Sequence, residues 1–427
     1  MAPLMSLPPE VIKPILDQLP FKDWCKIRLT CRLFNILAEP SIYSTCYFEF
    51  CQSPRAYLLR GPREDLSPDP MVVLSHKRAV KRINIDYERE DELNFTEPRF
   101  TKKPFPRGEA ARTLRYSHLD YLLPHFTEVT TVELGTPNLG WMSHPPLSVR
   151  IGQIKTILTT CISMKKFSLS LYYFGKEDLN TLKKLKREYN RVDLTTSRGL
   201  AQGSHGYPRL DTLEIELTDL TYNKDLNPTY RLVGLIWKLF QFPAKTVTNF
   251  SFEFETNCLD DDVREDEEDC LGRIFNNNGA QILILEKVET LRLSSSQGTL
   301  SSMLFSKFLQ LEDARIKEVH LTGLGFPKHS GMRAEGFLSR FSNLKILRIS
   351  SLDKVCICWA DKILATVKTL GTLNELGLEL CDPAGVGLLT GILDGYGSKY
   401  KVRILEGDKY IDYEGKEYFG TLVLFHF

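Results

Sequence analysis

Nine times between residues 80 and 378 the chain repeats one six-residue figure: apolar, two variable, apolar, one variable, apolar. It reads VKRINI from Val80, VTTVEL from Val129, MKKFSL from Met164, LDTLEI from Leu210 and VTNFSF from Val247. It continues as VETLRL from Val288, IKEVHL from Ile316, LKILRI from Leu344 and LNELGL from Leu373, with a weaker copy, KVRI, at Lys401. The alternation of the last three positions is the period of a short strand with one face buried. The chain has 427 residues, past the roughly 250–300 at which one compact core stops growing. Either several domains are present, or the core lengthens with each repeat.

The spacing favours the second solution. Leu291, Val319, Leu347, Leu376 and Val402 are separated by 28, 28, 29 and 26 residues, at the long end of the leucine-rich-repeat period of roughly 20–29. Between them lie helical patterns such as LSSMLFSKFLQL from Leu300 and WADKILATVKTL from Trp359. Strand then helix at a constant period predicts an α/β fold with parallel strands on the concave face of a solenoid. The alternative is an ordinary α/β domain around a parallel sheet. The earlier positions Ile83, Val132, Phe167, Leu213, Phe250 and Leu291 stand 49, 35, 46, 37 and 41 apart. They require insertions, at about 84–128 and 255–280, and NRVDL at Asn190 marks a further degenerate copy. The Asn or Cys of the usual repeat turn is matched only by Cys381, so the arc is expected to be irregular. KYIDYEGKEYFGTLVLFHF, within residues 408–427, reads as a hairpin around Glu414-Gly415 that caps the open end.

Composition removes several function classes. Lys and Arg number 55 against 54 Asp and Glu, a net charge of +1, without the basic excess of a nucleic-acid grip. No apolar run reaches the length of a membrane span. MAPLMSLPPE has neither the basic lead nor the apolar core of a secretory signal. The ten cysteines are scattered and none forms CxxC, which suits free thiols in the cytoplasm or nucleus. Catalysis needs a nucleophile with a base, paired carboxylates or metal ligands. The eight histidines show no HxxxH, and Cys356-Ile357-Cys358 has no second pair to complete a zinc site. Phosphate-cradling GxxxxGK[ST] and GxGxxG motifs are missing. No cofactor, metal or enzymatic activity is expected. DDDVREDEED, residues 260–269, reads as a solvated insertion, with an acidic lip for a basic segment as the sharper alternative. The basic segment 97–115 reads as a long surface loop, and LKKLKRE at Leu182 as the polar face of a helix.

The start of the chain follows a different pattern. In PPEVIKPILDQLP, Val11, Ile12, Ile15, Leu16 and Leu19 form a narrow stripe on one helix face. Pro9 suits the first helical turn, Pro20 ends the helix, and Pro14 is expected to bend it. Asp23 is placed to cap a second helix in which Trp24, Ile27, Cys31, Phe34 and Ala38 recur at steps of three and four. Leu33, Ile36 and Leu37 give that helix a second apolar face. A unit so small with two apolar faces packs one internally and offers the other to a partner.

The order of residues here resembles the F-box. It includes Leu7-Pro8, Glu10, Ile15-Leu16, Leu19-Pro20, Asp23, Arg28, Cys31-Arg32, Phe34, Leu37-Ala38 and Pro40-Ser41-Ile42-Tyr43. Trp24 stands where the family usually has leucine, and Pro14 interrupts the first helix. The resemblance, together with the repeats, is to fungal-type F-box proteins with irregular leucine-rich repeats. It implies a three-helix F-box in residues 1–45 and a repeat solenoid in residues 46–427. It further implies docking of the F-box on the Skp-family adaptor of a cullin–RING (SCF) ubiquitin ligase, through Leu7, Pro8, Ile12, Ile15, Leu16, Leu19, Trp24, Ile27 and Cys31. The solenoid would then receive a protein substrate. The pattern turns variable strand positions such as Glu214, Glu216, Arg292, His320, Arg348 and Glu379 to the concave side. Two other readings stand beside this one: an adaptor-bound scaffold that acts without a cullin, and an enzyme on a parallel α/β sheet.

Overall fold

The computed structural model of the chain describes residues 7–16, 18–19, 23, 26–51, 56–60, 74–87, 116–117, 119–135, 147–173, 206–219, 227–256, 283–295, 309–322, 340–352, 372–380, 401–411 and 417–426. Trp24, the basic segment 97–115, the segments at Leu182 and Asn190, the acidic run 260–269, Cys356–Cys358, the pattern from Trp359 and Cys381 lie outside the described residues. The chain forms two units. One comprises Met1–Ser170 and Tyr189–Arg209, the other Leu171–Glu188 and Leu210–Phe427.

The first unit begins with helices α1 (Pro9–Leu16) and α2 (Arg32–Ile42). Strands β1 (Thr45–Cys51), β2 (Ala56–Arg60), β3 (Arg82–Tyr87) and β4 (Tyr116–Ser117) follow, then helix α3 (Leu119–Leu122), β5 (Thr131–Leu134), helix α4 (Leu147–Thr160) and β6 (Lys166–Tyr173). Strands β1, β3, β5 and β6 pair in parallel in that order. Strand β2 is antiparallel to β1, and β4 to β2. β4 and α3 fall within the stretch read as an insertion at 84–128.

The second unit holds β7 (Thr212–Asp219), helix α5 (Asn227–Phe240), β8 (Asn249–Thr256), β9 (Leu283–Leu285), β10 (Thr290–Ser295), β11 (Leu309–Leu311), β12 (Glu318–Thr322), β13 (Ile346–Leu352), β14 (Glu375–Leu380), β15 (Lys401–Ile411) and β16 (Glu417–His426). Strands β7, β8, β10, β12, β13 and β14 are parallel neighbours. β9 and β11 form a separate two-stranded parallel sheet.

All nine hexads form strands, each strand beginning at the third residue of its hexad. Register aligns their fourth residues: Ile83, Val132 and Phe167 in the first unit, and Leu213, Phe250, Leu291, Val319, Leu347 and Leu376 in the second. Each of these is buried, as are the first and sixth residues of every hexad. The three apolar positions therefore stack into continuous ladders, and each addition buries a further set of side chains worth roughly 1.5–3 kcal/mol apiece. Helix α5 covers the second unit's ladder with Leu232, Ile236, Trp237 and Phe240, and Trp237 meets Phe252 edge-on at a centroid distance of 5.2 Å.

One backbone contact recurs at the starts of these strands. The carbonyl of a hexad's second residue accepts hydrogen bonds from the N–H groups of the second and third residues of the next. Lys81 accepts from Thr130 and Thr131, and Thr130 from Lys165 and Lys166. In the second unit Asp211, Thr248, Glu289, Lys317 and Lys345 accept in the same way, at 2.7–3.1 Å throughout. In the first unit the series begins earlier: Ser44 accepts from Lys81 at 2.7 Å and from Arg82 at 2.9 Å. Tyr43, Cys46 and Phe48, all buried, thus form a first copy of the figure, and it starts at the residue that caps α2.

Three expectations are corrected. KVRI at Lys401 is not a further parallel rung: β15 pairs antiparallel with β16, and β16 pairs antiparallel with β14. β15 runs in the direction of β14 but one place further out, and β16 fills the place between them in the opposite direction. The hairpin read within 408–427 therefore begins at Lys401. The helical pattern from Leu300 ends in strand, because Leu309–Leu311 pairs with Leu283–Leu285. The third concerns Glu379, read as facing the concave side. It is only 4 % exposed, because β16 lies against β14 and sets Leu422 opposite it.

Gly135 ends β5 at φ +86°, and its N–H donates to the Ile85 carbonyl at 2.8 Å. A Cβ there would collide with the carbonyl oxygen of Ser170. Gly135→Ala is expected to destabilise the first unit by about 2–3 kcal/mol, read as a fall in the urea midpoint. An unchanged midpoint would mean that the strand ladder does not close at this point.

Candidate functional site

Helix α1 is short because its sequence limits it. Pro9 occupies the first turn, where its missing N–H is harmless, and the Pro8 carbonyl accepts from the N–H groups of Val11 at 2.9 Å and Ile12 at 3.1 Å. The helix runs through Pro14 and ends two residues later. Its apolar stripe splits into two rows. Ile12 and Leu16, at 0 % and 2 % exposure, join Phe34, Ala38, Ile42 and Tyr43 in a small core. Val11 and Ile15, four residues apart on the helix and each 46 % exposed, form a ridge beside it, with Leu7, 37 % exposed, just before the helix begins. Residues i and i+4 share a helix face, whereas neighbours in sequence stand about 100° apart. A stripe of adjacent apolar pairs therefore supplies both an inner and an outer row.

The second helix is not continuous. Asp23, expected as its cap, is itself helical, and Lys26–Ile27 follow in helix. Arg28–Thr30 then turn, with the Thr30 hydroxyl donating to the Ile27 carbonyl at 2.7 Å. Cys31 is extended (φ −163°, ψ 163°), and its Sγ accepts from the N–H of Phe34 at 3.4 Å, capping α2. Competition from this local side-chain bond ends one helix and starts the next. Among the described residues two helices of this region are complete, α1 and α2, with the helical residues 23 and 26–27 between them.

The nine positions expected to touch an adaptor are thus distributed unequally. Leu7, Pro8 and Ile15 are exposed. Ile12 and Leu16 are turned into the module's own core, while Leu19, Ile27 and Cys31 are half-buried against it. Val11 belongs to the exposed ridge and was visible in the stripe, but its row was not separable from that of Ile12. Leu29 and Ile36 are also exposed, at the intervening turn and on α2, whereas Leu33 and Leu37 pack inward.

The module is joined directly to the first rung. The Arg28 guanidinium donates to the Tyr43 hydroxyl at 2.9 Å. The Tyr43 ring stacks on His76 with centroids 4.2 Å apart, and His76 Nδ1 meets Glu39 Oε1 of α2. Ala79, one residue before the VKRINI hexad, packs against the same core.

Covalent chemistry finds little support nearby. Burial pushes the Cys161 thiol up to about 12, and burial together with the neighbouring Cys161 pushes Cys46 up as well. Neither carries the thiolate that a nucleophile requires at neutral pH. Among the described residues no three His, Cys, Asp or Glu side chains are grouped to hold a metal ion, and no helix is long and apolar enough to cross a membrane.

The F-box domain family matches residues 4–41, from just before the exposed ridge to the last turn of α2. That match supports an F-box protein. No curated protein matches the chain.

Because Leu16 is in the core and Ile15 is outside it, the two should separate on truncation. Leu16→Ala is expected to cost the module about 2–5 kcal/mol and Ile15→Ala less than about 0.5 kcal/mol, measured by hydrogen exchange of α1 and α2 amides. Equal loss of protection in both variants would contradict the two-row assignment.

Proposed function

We propose that the chain is the non-catalytic, substrate-recognising subunit of an SCF-type ubiquitin ligase. The observation that carries the reading is the F-box match at residues 4–41, since F-box domains bind Skp-family adaptors and F-box proteins are generally receptors without an active site. The ridge of Val11 and Ile15, with Leu7 just before it, supports it. An exposed apolar row on a helix whose other row is already buried is the usual anatomy of a helix that docks in a partner's groove, and its centre is where binding energy concentrates. Leu7, Pro8, Val11, Ile15 and Trp24 carry the adaptor contact in this reading, and Ile12, Leu16 and Cys31 support it from within.

The parallel strands form the substrate-receiving part, a solenoid related to leucine-rich repeats. The period of 28, 28 and 29 residues across Leu291, Val319, Leu347 and Leu376 and the recurring carbonyl contact support this. The contribution to ubiquitin transfer is proximity: a lysine held beside the charged conjugating enzyme reacts as though at high local concentration. The protein works in the cytoplasm or nucleus, where the ligase machinery is.

Co-expression with a Skp-family adaptor is expected to yield a complex of equal stoichiometry, and a cullin should co-purify with it. Val11→Asp with Ile15→Asp should weaken adaptor binding by about 100-fold, roughly 3 kcal/mol, without lowering the melting temperature. Soluble chain that forms no adaptor complex would overturn the reading, and an adaptor complex that excludes cullin would leave an adaptor-bound scaffold.

A further inference from the structure

On the outward face of the second unit, Arg292, His320 and Arg348 stand in one row on three consecutive parallel strands, each in register with the next. Adjacent strands lie about 4.8 Å apart, so the row places two guanidinium groups on backbones roughly 10 Å apart with an imidazole between them. The Arg292 side chain is exposed, and its charge acts on both Glu318 and His320 of the neighbouring strand. Arg348 donates Nε and Nη2 to Glu375 Oε1, at 3.3 and 3.0 Å, which fixes the fork and leaves Nη1 to other acceptors. His320 Nε2 meets Glu318 Oε1, and the other oxygen of Glu318 accepts from the Thr290 hydroxyl at 3.4 Å.

Both carboxylates therefore lie on one side of the row, toward the starts of the strands, where they hold His320 and Arg348 in place. On the other side the in-register residues are Ser294, Thr322 and Ser350, three hydroxyls without a carboxylate among them. Across β8 and β7 the same face turns acidic, with Glu253 opposite Ser294 and Glu216 opposite Glu253. Toward β16 the face carries the buried Glu379, which follows the Leu378–Ile349 pair, and then turns apolar, with Leu422 and Leu424 against Gly377. The basic row is bounded on both flanks.

We propose that this row is the docking site for an acidic, extended segment of the protein being received, with carboxylate or phosphate groups seated between the guanidiniums and the hydroxyl row. This deepens the receptor reading and rests on it. The chemistry is that of charge-assisted hydrogen bonding: arginine forks match planar or tetrahedral anions in geometry as well as charge. An extended segment rises about 3.3 Å per residue, so acids two or three residues apart span the row. His320 gives the site a signature. Burial and the charges of Arg292 and Arg348 hold its imidazole below the usual histidine range, against the opposing pull of Glu318. A seated anion favours the protonated ring, so binding takes up a proton and tightens as pH falls.

The test uses the full chain co-expressed with the adaptor and three labelled Gly/Ser decapeptides in fluorescence anisotropy. One carries three glutamates at alternate positions, one carries phosphoserines there, and one carries glutamines. At least one acidic peptide is expected to bind ten times or more tighter than the glutamine peptide, and whichever binds better identifies carboxylate or phosphate. Arg292→Gln with Arg348→Gln should weaken binding at least tenfold, whereas Lys287→Gln, at an exposed position outside the row, should not. Binding should tighten between pH 8 and pH 6 in the wild type but not in His320→Gln. If the double variant does not fold, Ser294→Asp with Ser350→Asp, which sets negative charge on the hydroxyl side, should weaken binding equally. No binding of either acidic peptide up to millimolar concentration overturns the proposal, as does undiminished binding in the folded variants. An intact adaptor complex without peptide binding rejects this site alone. Peptide binding by a chain that takes no adaptor rejects the receptor reading instead.

Discussion

A carbonyl that accepts two consecutive N–H groups is the contact on which the parallel strands depend. Parallel pairing has no hairpin to set its register, so each strand must be placed by something at its own start. Here the second residue of one hexad holds the second and third residues of the next, from Ser44 to Thr130 in the first unit and from Asp211 to Lys345 in the second. A slip of one residue would turn the apolar fourth and sixth positions out to solvent. The repeated contact therefore fixes which face becomes core, and the stacked side chains stabilise that choice. It also satisfies the N–H groups at the turn into each strand, which would otherwise be costly to leave unpaired beside a buried ladder.

The same contact explains how a helical fragment of about forty residues stays folded. The core of Ile12, Leu16, Phe34, Ala38, Ile42 and Tyr43 is small, and units of this size rarely stand alone. Tyr43 is at once the last core residue of the helices and the first apolar position of the strand series. His76 stacks on it and reaches Glu39, and Arg28 binds its hydroxyl. Stability passes into the helices from the sheet, which frees Leu7, Val11 and Ile15 to remain apolar and uncovered.

Much of this was legible in the sequence, for identifiable reasons. The nine hexads read as strands because two alternating apolar residues and a third at fixed offset constrain a strand strongly, and the registers pair the residues whose spacing suggested them. The first copy, Tyr43-Cys46-Phe48, escaped because its opening residue belongs to the F-box pattern. The F-box itself was legible from the order of its residues, while the assignment of its faces was not. Ile15 and Leu16 are equally apolar, and only a second helix decides which of two neighbours becomes core. Cys31 fitted a helical spacing yet caps the helix instead, because its sulfur satisfies the Phe34 N–H and spacing carries no sign of that bond. The fate of Glu379 lay in the antiparallel return of β16, a non-local contact that no local pattern announces.

The seamless passage from α2 into β1 has a geometrical consequence. An α-helix advances about 100° per residue, and α2 passes into the first strand through Tyr43 and Ser44 alone. Adding or deleting one residue between Cys31 and Glu39 would swing everything upstream, the apolar ridge included, by about that angle about the helix axis. The direction in which the ridge faces is therefore written into the chain as a residue count. Substitutions along α2 can be absorbed there, but a change of length acts as a change of heading.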